Sequence, residues 1–247
     1  MRNPPVHTIS PLTQADSPPA VVSAVPPPLH AGDRLSRAEF EHRYAAHPEI
    51  KKAELIKGVV FVPSPVRIAQ HSSPHSALVG WLVVYAAHTP GVRVGDNGTV
   101  RLPGENELQP DAFLRLDPVY GGTSRITEDD YLEGPPELIV EVAASSVSYD
   151  VHDKRQVYQD SGVQEYLAVQ VYEQRVDWFV LRQGVYAALS PEAYGVLRST
   201  VFPGLWLQPE ALWAGDLAAL LATLQQGLAT PEHAAFAERL RTQRRDA

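Results

Sequence analysis

The sequence contains no cysteine, so it has no disulfide framework, no thiolate metal site and no thiol nucleophile. It is poor in positive charge: 21 Lys and Arg stand against 29 Asp and Glu, a net charge of −8. That balance argues against broad non-specific nucleic-acid binding, which rests on phosphate neutralisation, yet it leaves room for a local basic groove or a metal ion that supplies the positive charge. Long apolar runs are also missing. The longest, Ala77–Ala87, falls short of the roughly 18 residues that a membrane span needs, so no membrane partner is expected. The N-terminus lacks the apolar centre of a secretory signal, and cytoplasm is the expected compartment. Phosphate-loop, dinucleotide, zinc-finger and Gly-x-Ser-x-Gly patterns are absent, as are internal repeats.

What is present suits a globular protein: 247 residues, 44% hydrophobic and 20% charged, enough for one large core or two small ones. Residues 1–31 carry eight prolines and no periodicity, and are expected to be a disordered tail. Ser36 reads as the N-cap of a helix through about His47. Ala53–Pro63 reads as two strands around a turn at Lys57-Gly58. Ser73-Pro74 looks like an N-cap and first helical residue, opening a helix to about His88 that is apolar nearly all round and therefore expected to be buried. His71 and His75 align with Leu78 and Leu82 on it. Extended segments follow at Val92–Gly95, Thr99–Leu102 and Leu108–Leu116, then an acidic, Gly-rich loop over 117–134.

The organising stretch is Pro135–Gln170. Glu137–Val142 is apolar and β-branched, a buried strand with Glu141 inside it. Asp150 reads as an N-cap with Asp153 three residues on. Gly162 ends the helix, and Val163–Val169 is extended again. At 100° per residue, Val151, Lys154, Val157 and Tyr158 share one helical face. Beyond it, Arg175–Leu181 and Val185–Leu189 flank Gln183-Gly184 as a hairpin, Ser199–Leu207 is an aromatic connector, and Pro209–Leu228 and Pro231–Arg244 are helices.

Asp111 opens one strand, Glu141 lies within the next long one, and Lys154 follows on a helix. Two carboxylates from neighbouring strands can share a hard cation and leave positions for water and a phosphate. A nearby lysine can orient that water or stabilise developing charge. Glu54 could add a ligand. The residues alone leave other readings open. An aspartate after proline is often a turn residue. Glu141 and Lys154 could form a structural ion pair, or Lys154 could snorkel to solvent. Glu54 could be an ordinary hairpin residue, and His71 and His75 could cap the helix or fill a polar pocket.

The series Glu54-Leu55-Ile56-Lys57-Gly58, His71 ahead of a long apolar helix, Pro110-Asp111, Glu137–Val142, Ser145, Asp150, Lys154, Tyr158, Gly162–Tyr166, Arg198-Ser199 and Phe202–Leu207 resembles the Uma-type family within the PD-(D/E)XK nuclease superfamily. The resemblance spans about Leu35 to Trp213. It implies an α/β, restriction-endonuclease-like fold: a mixed central β-sheet flanked by helices, with the site at one sheet edge, plus an accessory hairpin and C-terminal helices. The implied division is a tail (1–31), a nuclease-like domain (32–213) and a C-terminal helical extension (214–247). It implies Mg²⁺ or Mn²⁺ held by Asp111, Glu141 and the main-chain carbonyl of Val142, Lys154 acting on the attacking water, and Glu54 and His71 beside them. DNA is the implied substrate and a homodimer the expected assembly. Two departures stand out. Ala143 occupies the place where the superfamily usually has its lysine, so that work passes to Lys154. Leu167 and Gln170 stand where the family commonly has Trp and Asp. A non-catalytic binding protein on the same fold, or a hydrolase of a smaller phosphodiester, is the alternative.

Overall fold

The computed structural model describes residues 25–63, 67–143 and 149–246, the side chains of 149–151 and 244–246 excepted. Ser145, the side chain of Asp150 and most of the proline-rich tail thus lie outside the described residues. The last part of that tail is packed, contrary to expectation: Leu29 is buried against Phe40, Leu55 and Val60, and the His30 carbonyl accepts from the Asp33 amide at 3.1 Å.

Helix α1 (Arg37–Ala46) starts where its cap predicts, with the Ser36 hydroxyl accepting from the Glu39 amide. Strands β1 (Glu54–Ile56) and β2 (Val59–Phe61) form a tight hairpin. Lys57 and Gly58 both take positive φ, 50° and 75°, as a two-residue turn matched to strand twist requires. Helix α2 (Ser73–His88) does not begin at a serine cap. A π-helical turn, Ile68–Ser72, runs straight into it, and Ser72 has helical φ/ψ with no capping bond. Nor is α2 buried all round: Leu78, Trp81, Leu82 and Tyr85 face the core, while Val83 is half exposed.

Next come β3 (Val92–Asp96), β4 (Val100–Leu102), β5 (Asn106–Leu108) and β6 (Ala112–Leu116). Leu108–Leu116, which reads as one strand, is therefore two. Pro110 has no N–H to donate, and at Gln109-Pro110-Asp111 the chain crosses from one sheet to another. The acidic loop holds β7 (Arg125–Ile126) and β8 (Leu132–Glu133). Then follow β9 (Leu138–Ala143), α3 (Tyr149–Ser161), β10 (Glu165–Gln170), and the hairpin β11 (Arg175–Arg182) and β12 (Val185–Ala188). Strands β13 (Leu197–Arg198) and β14 (Trp206–Leu207) pair with each other, ahead of α4 (Pro209–Ala214), α5 (Leu217–Leu228) and α6 (Pro231–Asp246). Gly215, at φ 67°, and the Asp216 cap divide what reads as one helix into α4 and α5.

The larger sheet is mixed, in the order β12-β11-β10-β9-β6-β3. Its parallel pair is β9 with β10, and a parallel pair needs a crossover, which α3 supplies. Because side chains alternate across a strand, β9 splits between two cores. Leu138, Val140 and Val142 join α2 and the C-terminal helices through Trp81, Leu212, Leu220 and Phe236. Ile139 joins Val157 and Tyr158 of α3, which places Glu141 on the α3 face. A second sheet, ordered β2-β1-β5-β4-β8-β7, covers part of that same face through Ile56, Leu102 and Leu108. The α/β fold with a mixed sheet flanked by helices is as expected. The second sheet is additional, and it moves the candidate site from a sheet edge to the seam between the two sheets, since β9 is an internal strand. Among the described residues, no helix is long and apolar enough to cross a membrane.

Candidate active site

The crossing at Gln109–Asp111 delivers Asp111 to the first position before β6, where it is buried. Its Oδ2 accepts from the Val142 amide at 2.8 Å and lies 3.2 Å from His71 Nε2. Lys52 Nζ stands 3.9 Å from Oδ1. The Asp111 carbonyl contacts His75 Nε2 at 2.9 Å. Burial pushes the Asp111 carboxyl upward, but His71, the Val142 amide and Lys52 outweigh it and hold the group below its ordinary range. Asp111 is therefore an anchored carboxylate and no turn residue bonded to its own backbone. His75, also 3.0 Å from Asp96, fixes the backbone beneath it.

Glu141 stands one residue before Val142 and points to the other side, under α3. Lys154 Nζ reaches it from the helix at 3.2 Å and reaches Glu54, on β1 of the second sheet, at 2.9 Å. The Gln109 amide donates to Glu54 Oε1 at 2.8 Å, so Glu54 is tied to the crossing that carries Asp111. Tyr158 OH donates to Glu141 Oε1 at 2.6 Å; being four residues beyond Lys154, it lies on the same helical face. All of these side chains are buried. Burial, with the charges of Asp111 and Glu54, pushes Glu141 up to about 7 against the pull of Lys154 and Tyr158. Burial works to discharge Lys154, yet Glu141 and Glu54 prevail and hold it protonated well above its ordinary range. The snorkelling reading is thereby excluded: the ammonium points inward.

Asp111, Glu141, Lys154, Glu54 and His71 thus form one connected set, joined through Val142. Sequence reasoning assigned no role to Tyr158 or Lys52. Tyr158 carried a usable signal, its spacing of four from Lys154; Lys52 carried none.

Among the described residues there is no group of three or more His, Asp or Glu side chains arranged to cage a metal ion. A magnesium-type cation does not need one, since it keeps several waters and binds through one or two carboxylates plus substrate phosphate. The donors fit that pattern. Among the described residues, hydrogen bonds occupy Asp111 Oδ2 and Glu141 Oε1, and Oδ1, with Lys52 3.9 Å away, and Oε2 are the oxygens that could meet a cation. Val142 fits as well. The Ala143 carbonyl accepts from Val171 on the β10 side, so its neighbour Val142 faces the opposite side, where its amide already meets Asp111.

A further buried acidic residue, Glu165, has different work. Glu165 is fully buried and accepts from Ser199 Oγ (2.7 Å), the Thr200 amide (2.7 Å) and hydroxyl (2.9 Å), the Val201 amide (3.1 Å) and Trp178 Nε1 (3.2 Å). It staples the connector to the sheet and belongs to the scaffold.

Comparison with known proteins bears on the family and the fold. The model of the family described as "Uma2: Putative restriction endonuclease" matches residues 37–210. A crystal structure of "a putative nuclease belonging to DUF820 from Anabaena variabilis ATCC 29413" superposes with a TM-score of 0.55 at 14% identity, covering 73% of this chain and 98% of the other. At that identity the likeness shows the fold alone. No curated protein matches the chain.

Proposed function

The chain belongs to the Uma2 family of "putative restriction endonucleases", and from that nuclease-like starting point we propose that it is a metal-dependent phosphodiesterase hydrolysing DNA. The observation that carries the proposal is the buried Lys154 ammonium, held 2.9 Å from Glu54 and 3.2 Å from Glu141. A cation-carboxylate cluster assembled from both sheets and the crossover helix is more than a fold needs.

Asp111 Oδ1, Glu141 Oε2 and the Val142 carbonyl would hold Mg²⁺ or Mn²⁺. When bound, the ion supplies positive charge to a phosphoryl oxygen and makes water more acidic. Lys154, kept protonated by its two carboxylates, acts as a hydrogen-bond donor that orients the attacking water or meets developing negative charge; it is not the base. Tyr158 and Glu54 fix the reactive carboxylate and the ammonium in place, and His71 fixes Asp111. In the reaction, water oxygen would bond to phosphorus, in line, as the bond from phosphorus to one of its two ester oxygens breaks. One proton leaves the water and one reaches the departing alkoxide. A homodimer would present two such sites to the two strands of a duplex, which sedimentation of the full chain would test.

The test is cleavage of supercoiled plasmid and single-stranded DNA with Mg²⁺ or Mn²⁺, wild type beside Asp111→Asn and Glu141→Gln. Each variant should lose about 100-fold or more, with its fold intact by circular dichroism. Variants that cut like wild type would sink the assignment. The net charge of −8 favours a second reading, a non-catalytic binding protein on this fold. That reading predicts no cleavage of DNA or of a smaller phosphodiester, and no rise in melting temperature with either metal.

A further inference from the structure

Two lysines reach the candidate site, and they are held very differently. Lys154 Nζ lies 2.9 and 3.2 Å from two buried carboxylates, and its side chain is 10% exposed. Lys52 stands two residues ahead of Glu54, and its side chain is 30% exposed. Its Nζ is 3.9 Å from Asp111 Oδ1 and 3.4 Å from Asn97 Oδ1, both longer than the roughly 2.7–3.2 Å of a well-made N–H···O bond. The place is nonetheless a built one. Asn97, just after β3, has φ 53°, in the left-handed region that asparagine tolerates. Its amide donates to the Asp111 carbonyl at 3.2 Å, and its Nδ2 donates to Asp96 Oδ1 at 2.8 Å. A carboxylate there can only accept, so the Asn97 side chain turns its own Oδ1 to Lys52.

The ammonium therefore rests beside Asp111 Oδ1, the oxygen assigned above to a cation. An ammonium and a dication at one carboxylate oxygen repel each other, so binding of the ion displaces whichever lysine is held less firmly. The contacts decide which. Lys154 is fixed by two buried charges. Lys52 has one carboxylate at 3.9 Å and a neutral amide at 3.4 Å, a flexible four-carbon stem, and open solvent into which to withdraw. Asp111 does not depend on it: His71 and the Val142 amide do more than Lys52 to hold that carboxyl below its ordinary range. In the ion-free chain, however, the site would hold Asp111, Glu54 and Glu141 against Lys154 alone if Lys52 were missing.

We propose that Lys52 is a built-in competitor of the metal ion. It compensates Asp111 in the ion-free chain, gives up Oδ1 when Mg²⁺ or Mn²⁺ binds, and so sets how much metal the site needs. The inference deepens the metal-dependent reading above and rests on it.

The experiment measures Mn²⁺ binding to the full chain without DNA, after EDTA treatment and dialysis, by isothermal titration calorimetry. Wild type is compared with Lys52→Met, Lys52→Arg and Lys51→Met. Lys51 controls for the loss of a charge alone, since its Nζ is engaged by the Pro48 carbonyl at 2.9 Å. Lys52→Met should tighten Mn²⁺ binding about tenfold, the size of the repulsion between an ammonium and a dication a few ångströms apart in water. Lys52→Arg keeps the charge and Lys51→Met removes a different one, so both should stay within about twofold of wild type. A damaged fold does not gain affinity, so the sign of the change separates competition from a structural role. Binding by Lys52→Met no tighter than wild type would overturn the proposal, and so would an equal gain in Lys51→Met. Either result, with Mn²⁺ bound by the wild type, leaves the metal-dependent reading standing. Binding by Lys52→Met alone would support the competition; binding by neither protein would overturn both readings. If wild type cleaves DNA, Lys52→Met should reach half-maximal cleavage at about one-tenth of the Mn²⁺ concentration. Tighter binding in a chain that never cleaves would keep Lys52 in this role and remove the nuclease.

Discussion

Replacing Lys154 with methionine keeps most of the stem and removes the ammonium. In wild type Lys154 is 8% exposed and its ammonium is shared by Glu54 and Glu141, themselves 4% and 8% exposed. Removing one partner of a buried ion pair costs about 3–5 kcal/mol, because the remaining charge is left without compensation. Glu141 can relieve part of this by taking up a proton, since burial has already pushed it up to about 7. The loss at pH 7 should therefore fall at the low end, about 3 kcal/mol. For a chain of 247 residues, at about 2–4 °C per kcal/mol, the melting temperature should drop about 6–12 °C. The pH dependence has a definite sign. A carboxyl whose folded pKa is raised contributes stability that is full below its unfolded value near 4.5 and is lost as pH rises through its folded value. Without Lys154 the folded value rises further, so the gap between variant and wild type should be narrow at pH 5 and wide at pH 8. Differential scanning calorimetry in EDTA measures both, and added Mn²⁺ or Mg²⁺ should raise the variant's melting temperature more than the wild type's. A drop under about 2 °C at pH 8, or a gap that does not change with pH, would refute the buried ammonium.

Much of this was legible because the informative signals are local. Lys57-Gly58 and Gln183-Gly184 announce hairpins, since both residues of such a turn need positive φ, and both pairs have it. Lys154 could be aimed from helical period alone, because a 13-residue helix anchored between β9 and β10 has one face available to the sheet. Glu141 was visible as a charge inside an apolar strand, which demands a partner. The connection of Glu54 to the site was only weakly visible. It depends on a second sheet whose strands are two or three residues long, too short to show a period of two.

The errors also have physical causes. Leu108–Leu116 looks continuous by hydrophobicity, yet Pro110 separates two strands, and the change of sheet there is what brings Asp111 to the strand that carries Glu141. The α-helix opens at Ser73 as Ser73-Pro74 suggests, but with no serine cap, because a π-helical turn precedes it and carries His71 to Asp111. Glu165 read only as part of a motif, because its five donors come from the distant connector and from β11. Long-range partners leave no local pattern.

Two further perturbations probe the scaffold. Glu165→Gln turns an acceptor into a group that opposes the surrounding donors; leaving buried donors unmet costs about 1–3 kcal/mol each, so a loss of about 3 kcal/mol or more is expected by urea denaturation, against about 1 kcal/mol for Ser199→Ala. Equal effects would contradict the staple. Glu107→Gln tests the second sheet. Glu107 is 3% exposed on β5 and pairs across the ladder with Arg101, 3.4 Å away. Arg101 is also shared by Glu41 at 2.9 Å and Asp129 at 2.8 Å. Burial, reinforced by Glu41, pushes Glu107 up to about 7 although Arg101 draws it down. Its stabilising contribution is therefore complete below about pH 4.5 and is lost as pH rises through 7. Glutamine mimics the protonated form at every pH. The variant and wild type should melt together near pH 5, and the variant's melting temperature should fall less between pH 5 and 8. Because Glu141 titrates in the same window in both proteins, the difference between the two curves isolates Glu107. Parallel curves would mean that Arg101 keeps Glu107 ionised throughout, and that three carboxylates share one guanidinium without a proton between them.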